Sequence, residues 1–151
     1  MKIQKAEEKN LQKILELQYL AYQSEARLLN NPNIPPLKQT LSEVQKEFEN
    51  GMILKVVDDV GVIVGSVRAY SRDGTLYIGK LIVHPSLQGK GIGTSLLKEI
   101  EKVCPHKRYE LFTSSKSARN IALYERLGFR IFEKKPVSNE LTFIYLEKKV
   151  P

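Results

Sequence analysis

An apolar run, a glycine-rich turn and an amphipathic segment follow one another between residues 76 and 103, and together they restrict how this chain folds. The run over residues 76–83 is short, rich in branched side chains and bounded by turn residues, which predicts a buried strand. The segment after the turn places its apolar side chains on one helical face: Ile92, Leu96, Leu97, Ile100 and Val103. A glycine-rich turn between a strand and a helix leaves backbone N–H groups free at the positive end of the helix dipole. The stretch therefore predicts an anion site, most naturally for phosphate.

The spacing of the glycines separates the known kinds of phosphate-binding loop. A P-loop needs Gly, four residues and then Gly-Lys-Ser/Thr, which residues 88–94 do not provide. A dinucleotide fingerprint needs a third glycine, but the chain has Thr94 or Leu96 at that position, depending on which glycine begins the count. Glu110 stands at about the distance of that fingerprint's ribose-binding acid. Without the third glycine we discount this match.

Gln88, Gly91 and Gly93 instead form the pattern Gln-x-x-Gly-x-Gly. Taken alone, this pattern leaves two interpretations open, a purely structural turn and a phosphate-binding loop. The pattern resembles the pyrophosphate-binding signature of the GNAT superfamily of N-acyltransferases, whose members bind acetyl-coenzyme A.

A second segment resembles the other signature of that superfamily, Asn-x-x-x-Tyr followed by Gly-Phe. Asn120 and Tyr124 are four residues apart, so on a helix they share one face. Gly128 stands where a left-handed glycine ends a helix, and Phe129 opens the next strand. The two signatures occur in the order and at the separation of the superfamily. The resemblance covers nearly the whole chain, and its specific part is residues 76–129.

The remaining segments predict strands and helices around this centre. A helix from about residue 7 to 29 follows a first strand, and the proline-rich segment 30–36 is expected to break it and to stay non-helical. Thr40 and Glu43 predict a capping box for a short helix that ends near Asn50. Gly79, inside the central strand, marks either a β-bulge or simple close packing.

The resemblance implies an α+β (mixed α/β) fold with a single N-acetyltransferase domain over residues 1–151. It implies a central mixed seven-strand sheet flanked by about four helices, with the first helical pair arching over the acceptor site. A length of 151 residues suits one domain with enough chain to bury a core.

The resemblance also implies where acetyl-coenzyme A binds as co-substrate. The glycine-rich loop would donate backbone N–H groups to the pyrophosphate, and the end of the central strand would hold the pantetheine arm and polarise the thioester carbonyl. Asn120 would bond to the pantetheine or order a water. Tyr124, a phenol with an ordinary pKa of about 10, would protonate the leaving thiolate as general acid. The expected co-substrate-binding residues are Leu81, Ile82, Val83, Gln88, Gly89, Lys90, Gly91, Ile92, Gly93, Thr94, Asn120 and Tyr124.

The group that removes the amine proton is less defined. Many relatives place a carboxylate on the central strand, but this chain has Gly79 and Lys80 there. Glu25, in the helix expected over the acceptor pocket, is the candidate for the general base, acting through water, or for acceptor binding. A glutamate at such a position is more often a surface residue or a substrate-binding group, and Glu110 is the second choice for the base.

Composition and charge exclude several classes of protein. The single cysteine, Cys104, excludes an internal disulfide and suits a reducing cytoplasm. From the sequence we expect no metal site, no membrane-spanning segment and no signal peptide. The formal net charge is +7, which favours the approach of an anionic coenzyme, and no nucleic-acid motif accompanies it.

Two functions from different classes follow from these residues. The first is an acetyl-CoA-dependent N-acetyltransferase acting on a primary amine, expected to belong to a small molecule, by direct attack through a tetrahedral intermediate. The second is a CoA-binding sensor or interaction module without catalysis on the same fold. The presence of Tyr124 favours the enzyme, and the missing strand carboxylate leaves room for the second. A homodimer is common for the fold that the resemblance implies, and a peptide or protein lysine also remains open as acceptor.

Overall fold

The computed structural model describes residues 1–151, and its centre is one seven-stranded mixed sheet. The strands in chain order are β1 (Lys2–Lys5), β2 (Met52–Val57), β3 (Ile63–Arg72), β4 (Thr75–Val83), β5 (Arg108–Ser114), β6 (Arg130–Pro136) and β7 (Thr142–Lys149). Their order across the sheet is β1-β2-β3-β4-β5-β7-β6. This α+β architecture in one domain confirms the expected fold class.

Six α-helical segments accompany the sheet, where about four helices were expected. They are α1 (Leu11–Ala21), α2 (Gln23–Leu28), α3 (Pro35–Lys38), α4 (Leu41–Asn50), α5 (Ile92–Val103) and α6 (Ala118–Arg126). The number is higher because the first predicted helix is divided at Tyr22 into α1 and α2, and because α3 forms at the end of the proline-rich segment. None of the helices is long and apolar enough to span a membrane.

The expectation that the whole proline-rich segment is non-helical was wrong at its end. Pro35 and Pro36 form the first turn of α3, after Ile34 in extended conformation. Proline is tolerated in a first helical turn because its missing N–H group would have no helical partner there. The capping box before α4 is confirmed, since Thr40 Oγ1 accepts from the Glu43 N–H and Glu43 accepts from the Thr40 N–H.

The sheet has one parallel contact, between β4 and β5, and that contact is short. The two strands pair over Thr75–Tyr77 and Arg108–Glu110 and are unpaired beyond those residues. We call the space between residues 78–83 of β4 and residues 111–114 of β5 the β4–β5 gap. All other neighbours in the sheet are antiparallel.

The two faces of the sheet bury different parts of the core. Helix α5 packs its apolar face, including Leu96 and Leu97, on the side of Leu54 and Val67. On the opposite face α1 and α4 enclose a smaller apolar cluster of Ala6, Leu11, Ile14, Leu15, Val44 and Ile53. The larger cluster includes Tyr124 and Phe129, so the second signature is anchored in the core beside the gap.

A β-bulge interrupts β4 where it runs beside β3. Gly79 lies opposite Arg68 and Ile82 lies opposite Ser66, so Lys80 and Leu81 together oppose one residue of β3. Lys80 carries the left-handed φ of 48° that the bulge requires. The bulge is therefore adjacent to Gly79 rather than at it. Close packing does not explain Gly79 either, because no atom lies within 4 Å of the place where its Cβ would stand.

Candidate active site

The glycine-rich loop presents a row of free backbone donors at the start of α5. Gly91 is the N-cap of the helix, with φ of 84°, and its carbonyl accepts the first helical bond from Ser95. The N–H groups from Gln88 to Thr94 donate no hydrogen bond within the chain. Because they stand at the positive end of a twelve-residue helix, they suit an anionic group such as a pyrophosphate.

Arg119 adds a positive charge to this loop that the sequence interpretation did not include. It lies in the first turn of α6, and its Nη1 donates to Gln88 Oε1 at 3.2 Å. Its Nη2 lies 3.4 Å from the position that a Cβ on Gly89 would take. Lys90, exposed on the same loop, is the second cation there. The only sequence signal for Arg119 is its position directly before Asn120.

The β4–β5 gap exposes one edge of the central strand. The His84 N–H donates to Val64 O and therefore points toward β3. Because successive N–H groups of a strand point to opposite sides, the N–H of Val83 points toward the gap and the N–H of Ile82 points toward β3. Leu81, two residues before Val83 in the strand, lies on the same side as Val83. The gap, the start of α5 and α6 meet at Gly93, where an added Cβ would lie 3.7 Å from Leu123 Cδ2 and 3.8 Å from Leu81 Cδ2. Thus Leu81 and Val83 face this junction, whereas Ile82 is a core residue.

Tyr124 and Asn120 occupy one face of α6 beside this junction. Tyr124 is 6% exposed, its ring centroid lies 6.2 Å from that of Phe129, and its hydroxyl makes no hydrogen bond within the chain. Asn120 is half-buried one turn earlier. Burial, and secondarily the negative charge of Glu25, raise the pKa of Tyr124 well above the ordinary value assumed from the sequence. The phenol therefore remains protonated at any physiological pH.

Glu25, on α2, is brought close to Tyr124 and Tyr22. It is half-buried, and burial raises the pKa of its carboxyl above the ordinary value. No ion pair or hydrogen bond within the chain offsets that burial. Burial and the charge of Glu25 also raise the pKa of Tyr22, the residue at which α1 and α2 join. The α1–α2 junction thus brings Tyr22 and the unpaired carboxylate of Glu25 close to Tyr124 of α6.

Arg68 forms a buried polar network behind this space. Its side chain comes from β3; Nη2 donates to Gln18 Oε1 at 2.5 Å, while Nη1 donates to Gln39 Oε1 at 2.9 Å and to Glu47 Oε1 at 3.2 Å. Arg68 is 5% exposed, and its Nε is buried without a partner. Burial lowers the pKa of Arg68, and the charge of Glu47 acts in the opposite direction.

Lys80 stands next to this network, at the bulge. Its side chain is half-buried and makes no hydrogen bond or ion pair within the chain. Burial lowers the pKa of Lys80, while the charges of Glu47 and Glu43 on α4 oppose that shift and the charge of Arg68 adds to it. The structure therefore places a cation in the region of β4 where the resemblance led us to look for a carboxylate.

The second candidate for the base, Glu110, is already engaged. Its Oε1 accepts from Arg108 Nη2 at 2.9 Å, and Arg108 also bonds to Glu147 at 2.9 Å. A cavity of about 480 Å³ lies elsewhere, between α1 and the β2–β3 turn, and none of the predicted site residues lines it. No cluster of three or more His, Cys, Asp or Glu side chains with metal-binding geometry is present.

Comparison with known proteins identifies the family to which the chain belongs. The sequence model of the Acetyltransferase (GNAT) family matches residues 4–129. The chain belongs to the GNAT family of acetyltransferases. The family match spans both signatures and most of the sheet. It confirms the resemblance drawn from Gln88, Gly91, Gly93 and the segment after Asn120.

Individual relatives are distant. The chain is 27% identical over 118 residues to the UPF0157 protein YqkA of Bacillus subtilis (strain 168), covering 78% of this chain and 34% of that protein. It thus spans about a third of the length of that curated relative. Among solved structures, smu.2055 from Streptococcus mutans UA159 is similar with a TM-score of 0.83 and 17% identity over 99% of each chain. The structure of yncA from Salmonella typhimurium with its cofactor acetyl-CoA gives a TM-score of 0.76 and 20% identity, covering 100% of this chain and 94% of that one. These structural likenesses establish the shared fold.

Proposed function

We propose that this GNAT protein transfers the acetyl group of acetyl-CoA to a primary amine by direct attack. The observation that carries the proposal is the convergence of three features at one place. The free N–H groups of residues 88–94 fit a pyrophosphate, the β4–β5 gap offers a free strand edge for the pantetheine arm, and Tyr124 stands where both meet. The acetyl-CoA bound to yncA, which has the same fold, supports this choice of co-substrate.

The backbone of the central strand polarises the thioester. The N–H of Val83, turned toward the gap, donates to the carbonyl oxygen as negative charge develops on it. A fixed donor of this kind typically lowers the barrier by about 3 kcal/mol. The amine nitrogen then attacks the carbonyl carbon, and the tetrahedral intermediate collapses with cleavage of the C–S bond.

Two side chains donate and accept the protons of the reaction. Tyr124 donates its phenolic proton to the departing sulfur, and its buried, protonated state keeps the proton available until the thiolate forms. Glu25 accepts the amine proton through water, because its carboxylate lies close to Tyr124 and makes no ion pair or hydrogen bond within the chain. The pKa of Glu25, raised by burial, moves it toward the range in which a carboxylate is an effective base.

A panel of primary amines incubated with acetyl-CoA, read by release of free thiol and by the mass of the product, tests this function. The expected result is thiol release that depends on one class of amine, together with an acetylated amine. Binding of coenzyme A measured by calorimetry separates the non-catalytic alternative. Tight coenzyme binding with no acetyl transfer to any amine, peptide or protein lysine would identify a sensor or interaction module instead.

A further inference from the structure

The cavity of about 480 Å³ between α1 and the β2–β3 turn is separate from the proposed active site. We call it the α1–β2 cavity, because α1 forms one wall and β2, with the turn into β3, forms the other. None of residues 88–94, Asn120 and Tyr124 lines it. Its volume lies within the range of small-molecule sites, about 300–1,000 Å³. The groups on its walls therefore indicate what kind of molecule it accepts.

The apolar part of the lining is aliphatic throughout. It comes from α1, β2 and the start of β3, and it consists of Leu17, Leu20, Val57, Val62 and Ile63. Leu17 is 6% exposed, whereas Leu20 is 45% and Val62 is 52% exposed, so this surface extends from the interior to solvent. A ligand with an aliphatic body would remove the exposed part of it from water, which is favourable.

Lys55 adds a charge to these walls. It stands two residues after Ile53 on β2, so both side chains point to the face of the sheet that α1 and α4 cover. Lys55 is half-buried, and its Nζ donates to Asn10 Oδ1 at 2.8 Å but makes no ion pair within the chain. A charge that is partly removed from water is stabilised by an opposite charge. Lys55 is therefore a cation open to an anionic ligand.

The other charges of the lining cancel each other. Lys13 and Glu16, both on α1, form an ion pair at 3.9 Å. His84 lines the cavity from the end of β4, and its Nδ1 accepts from the Ser86 N–H. The ring proton of His84 therefore lies on Nε2, which makes no hydrogen bond within the chain. The lining is thus left with the positive charge of Lys55 and one neutral donor.

The turn that closes the cavity is fixed by its own hydrogen bonds. Asp58 Oδ1 accepts from the N–H groups of Val60 and Val62, and the Asp58 N–H donates to Val62 O. Gly61 supplies the left-handed φ of 86° within this turn. The wall that carries Val62 is therefore held in place by the chain itself, as in binding sites that are largely formed before a ligand arrives.

We propose that the α1–β2 cavity binds a small aliphatic carboxylate at a site separate from that of coenzyme A. The carboxylate accepts from Lys55, with His84 as the second donor, and the aliphatic chain lies against Leu17, Leu20 and Val62. No bond forms or breaks there, and the proposal does not depend on the transferase function.

Other ligand classes fit the same walls less well. An alkyl ammonium ion would bring a second cation to Lys55, and the one carboxylate of the lining, Glu16, is already paired with Lys13. Inorganic phosphate would satisfy Lys55 but would leave the aliphatic walls in water. Preferred binding of either class would contradict the proposal.

The test is a titration with octanoate, followed by nuclear magnetic resonance of the backbone amides, with and without saturating coenzyme A. We expect saturable shifts at Leu20 and Val62 with a Kd of about 1 mM or tighter, the same in both conditions. Octylammonium and 1-octanol, which have the same chain length, should bind at least about fivefold more weakly. Hexanoate, with two fewer buried methylene groups, should bind about tenfold more weakly than octanoate.

Substitutions on both walls decide whether these residues hold the probe. Lys55→Gln should weaken octanoate at least about fivefold and leave 1-octanol unchanged, and Lys55→Arg should retain most of the affinity. Lys98→Gln, at an exposed lysine of α5, is the matched control.

Leu20→Glu places a carboxylate at the exposed apolar rim and should also weaken octanoate at least about fivefold. Val103→Glu, at an exposed apolar residue of α5, makes the same change in net charge away from the cavity and should leave the affinity intact. The amide spectra show whether each variant is folded, and Leu20→Glu decides if Lys55→Gln is not. Displacement of octanoate by coenzyme A, equal binding of 1-octanol or hexanoate, wild-type affinity in both cavity variants, or absence of saturable binding would each overturn the proposal.

Discussion

The guanidinium of Arg119 donates from Nη1 to Oε1 of Gln88 across 3.2 Å, and this contact connects the two GNAT signatures. Gln88 belongs to the glycine-rich loop and Arg119 to the first turn of α6, directly before Asn120. The contact holds a positive charge beside the free N–H groups of the loop. The same helix that positions Tyr124 therefore also contributes a cation to the proposed anion site.

Arg119→Ala is expected to weaken binding of coenzyme A by about five- to tenfold, because one charge-assisted contact to the pyrophosphate is lost. Affinity measured by calorimetry over a salt series should also depend less on ionic strength than in the wild type. Arg126→Ala, at an exposed arginine of the same helix, serves as control. Equal losses in both variants would show that only net charge matters.

Gly91→Glu is expected to abolish coenzyme binding while the domain still folds. A Cβ at this position has no atom of the chain within 4 Å, so the residue has room, but its carboxylate would repel the pyrophosphate. The left-handed φ of 84° makes any side chain there cost about 1–2 kcal/mol, so Gly91→Ala measures that strain separately. Circular dichroism and calorimetry check the two statements. Wild-type affinity in Gly91→Glu would disprove the loop assignment.

Glu25→Gln is expected to change how stability depends on pH. Because burial raises the pKa of the folded Glu25 above 4.5, its ionised form is penalised, and the wild type loses stability as pH rises from 4.5 through that raised pKa. The variant lacks this loss, so its stability should rise relative to that of the wild type as the pH increases above about 4.5, and the difference should level off above the raised pKa. Thermal unfolding measures the difference, with the exposed Glu49→Gln as control. A pH-independent difference would show that Glu25 titrates as in solvent.

The ion pair of Arg68 and Glu47 is expected to be coupled in stability. Glu47→Ala leaves a buried guanidinium without its carboxylate and should cost about 2 kcal/mol, less than for a fully buried pair because the Glu47 side chain is 34% exposed. In an Arg68→Met background the same change should cost less than about 1 kcal/mol. Denaturant unfolding of the four proteins gives the coupling. Equal costs in both backgrounds would show that the two charges act independently.

The features that the sequence predicted are those fixed by local spacing. The loop over residues 88–94, the four-residue interval between Asn120 and Tyr124, and the capping box at Thr40 are each formed by neighbours in the chain. Backbone rules for helix starts and glycine turns apply to them without knowledge of the rest of the molecule. The structure reproduces these elements within a few residues.

The acceptor side could not be predicted in this way, because its contacts join distant residues. Arg68 and Gln18, 50 residues apart, meet only when β3 packs against α1. A signal existed, since Arg68 stands between Val67 and Ala69 in the buried part of β3, but nothing local says which partners it finds. The bulge at Lys80 depends on the register between β3 and β4, which the pattern of β4 alone does not define.

The most direct test of the transferase is the turnover of Tyr124→Phe with a competent amine, measured under conditions in which chemistry limits the rate. The change keeps the ring and its packing but removes the proton donor, so we expect kcat to fall by roughly 10²–10⁴-fold. The loss should be near 10²-fold if water can protonate the leaving sulfur in place of the phenol. The affinity for acetyl-CoA should stay near that of the wild type, because the hydroxyl acts on charge that develops late in the reaction. Unchanged kcat in this variant would contradict the assignment of Tyr124 as the general acid.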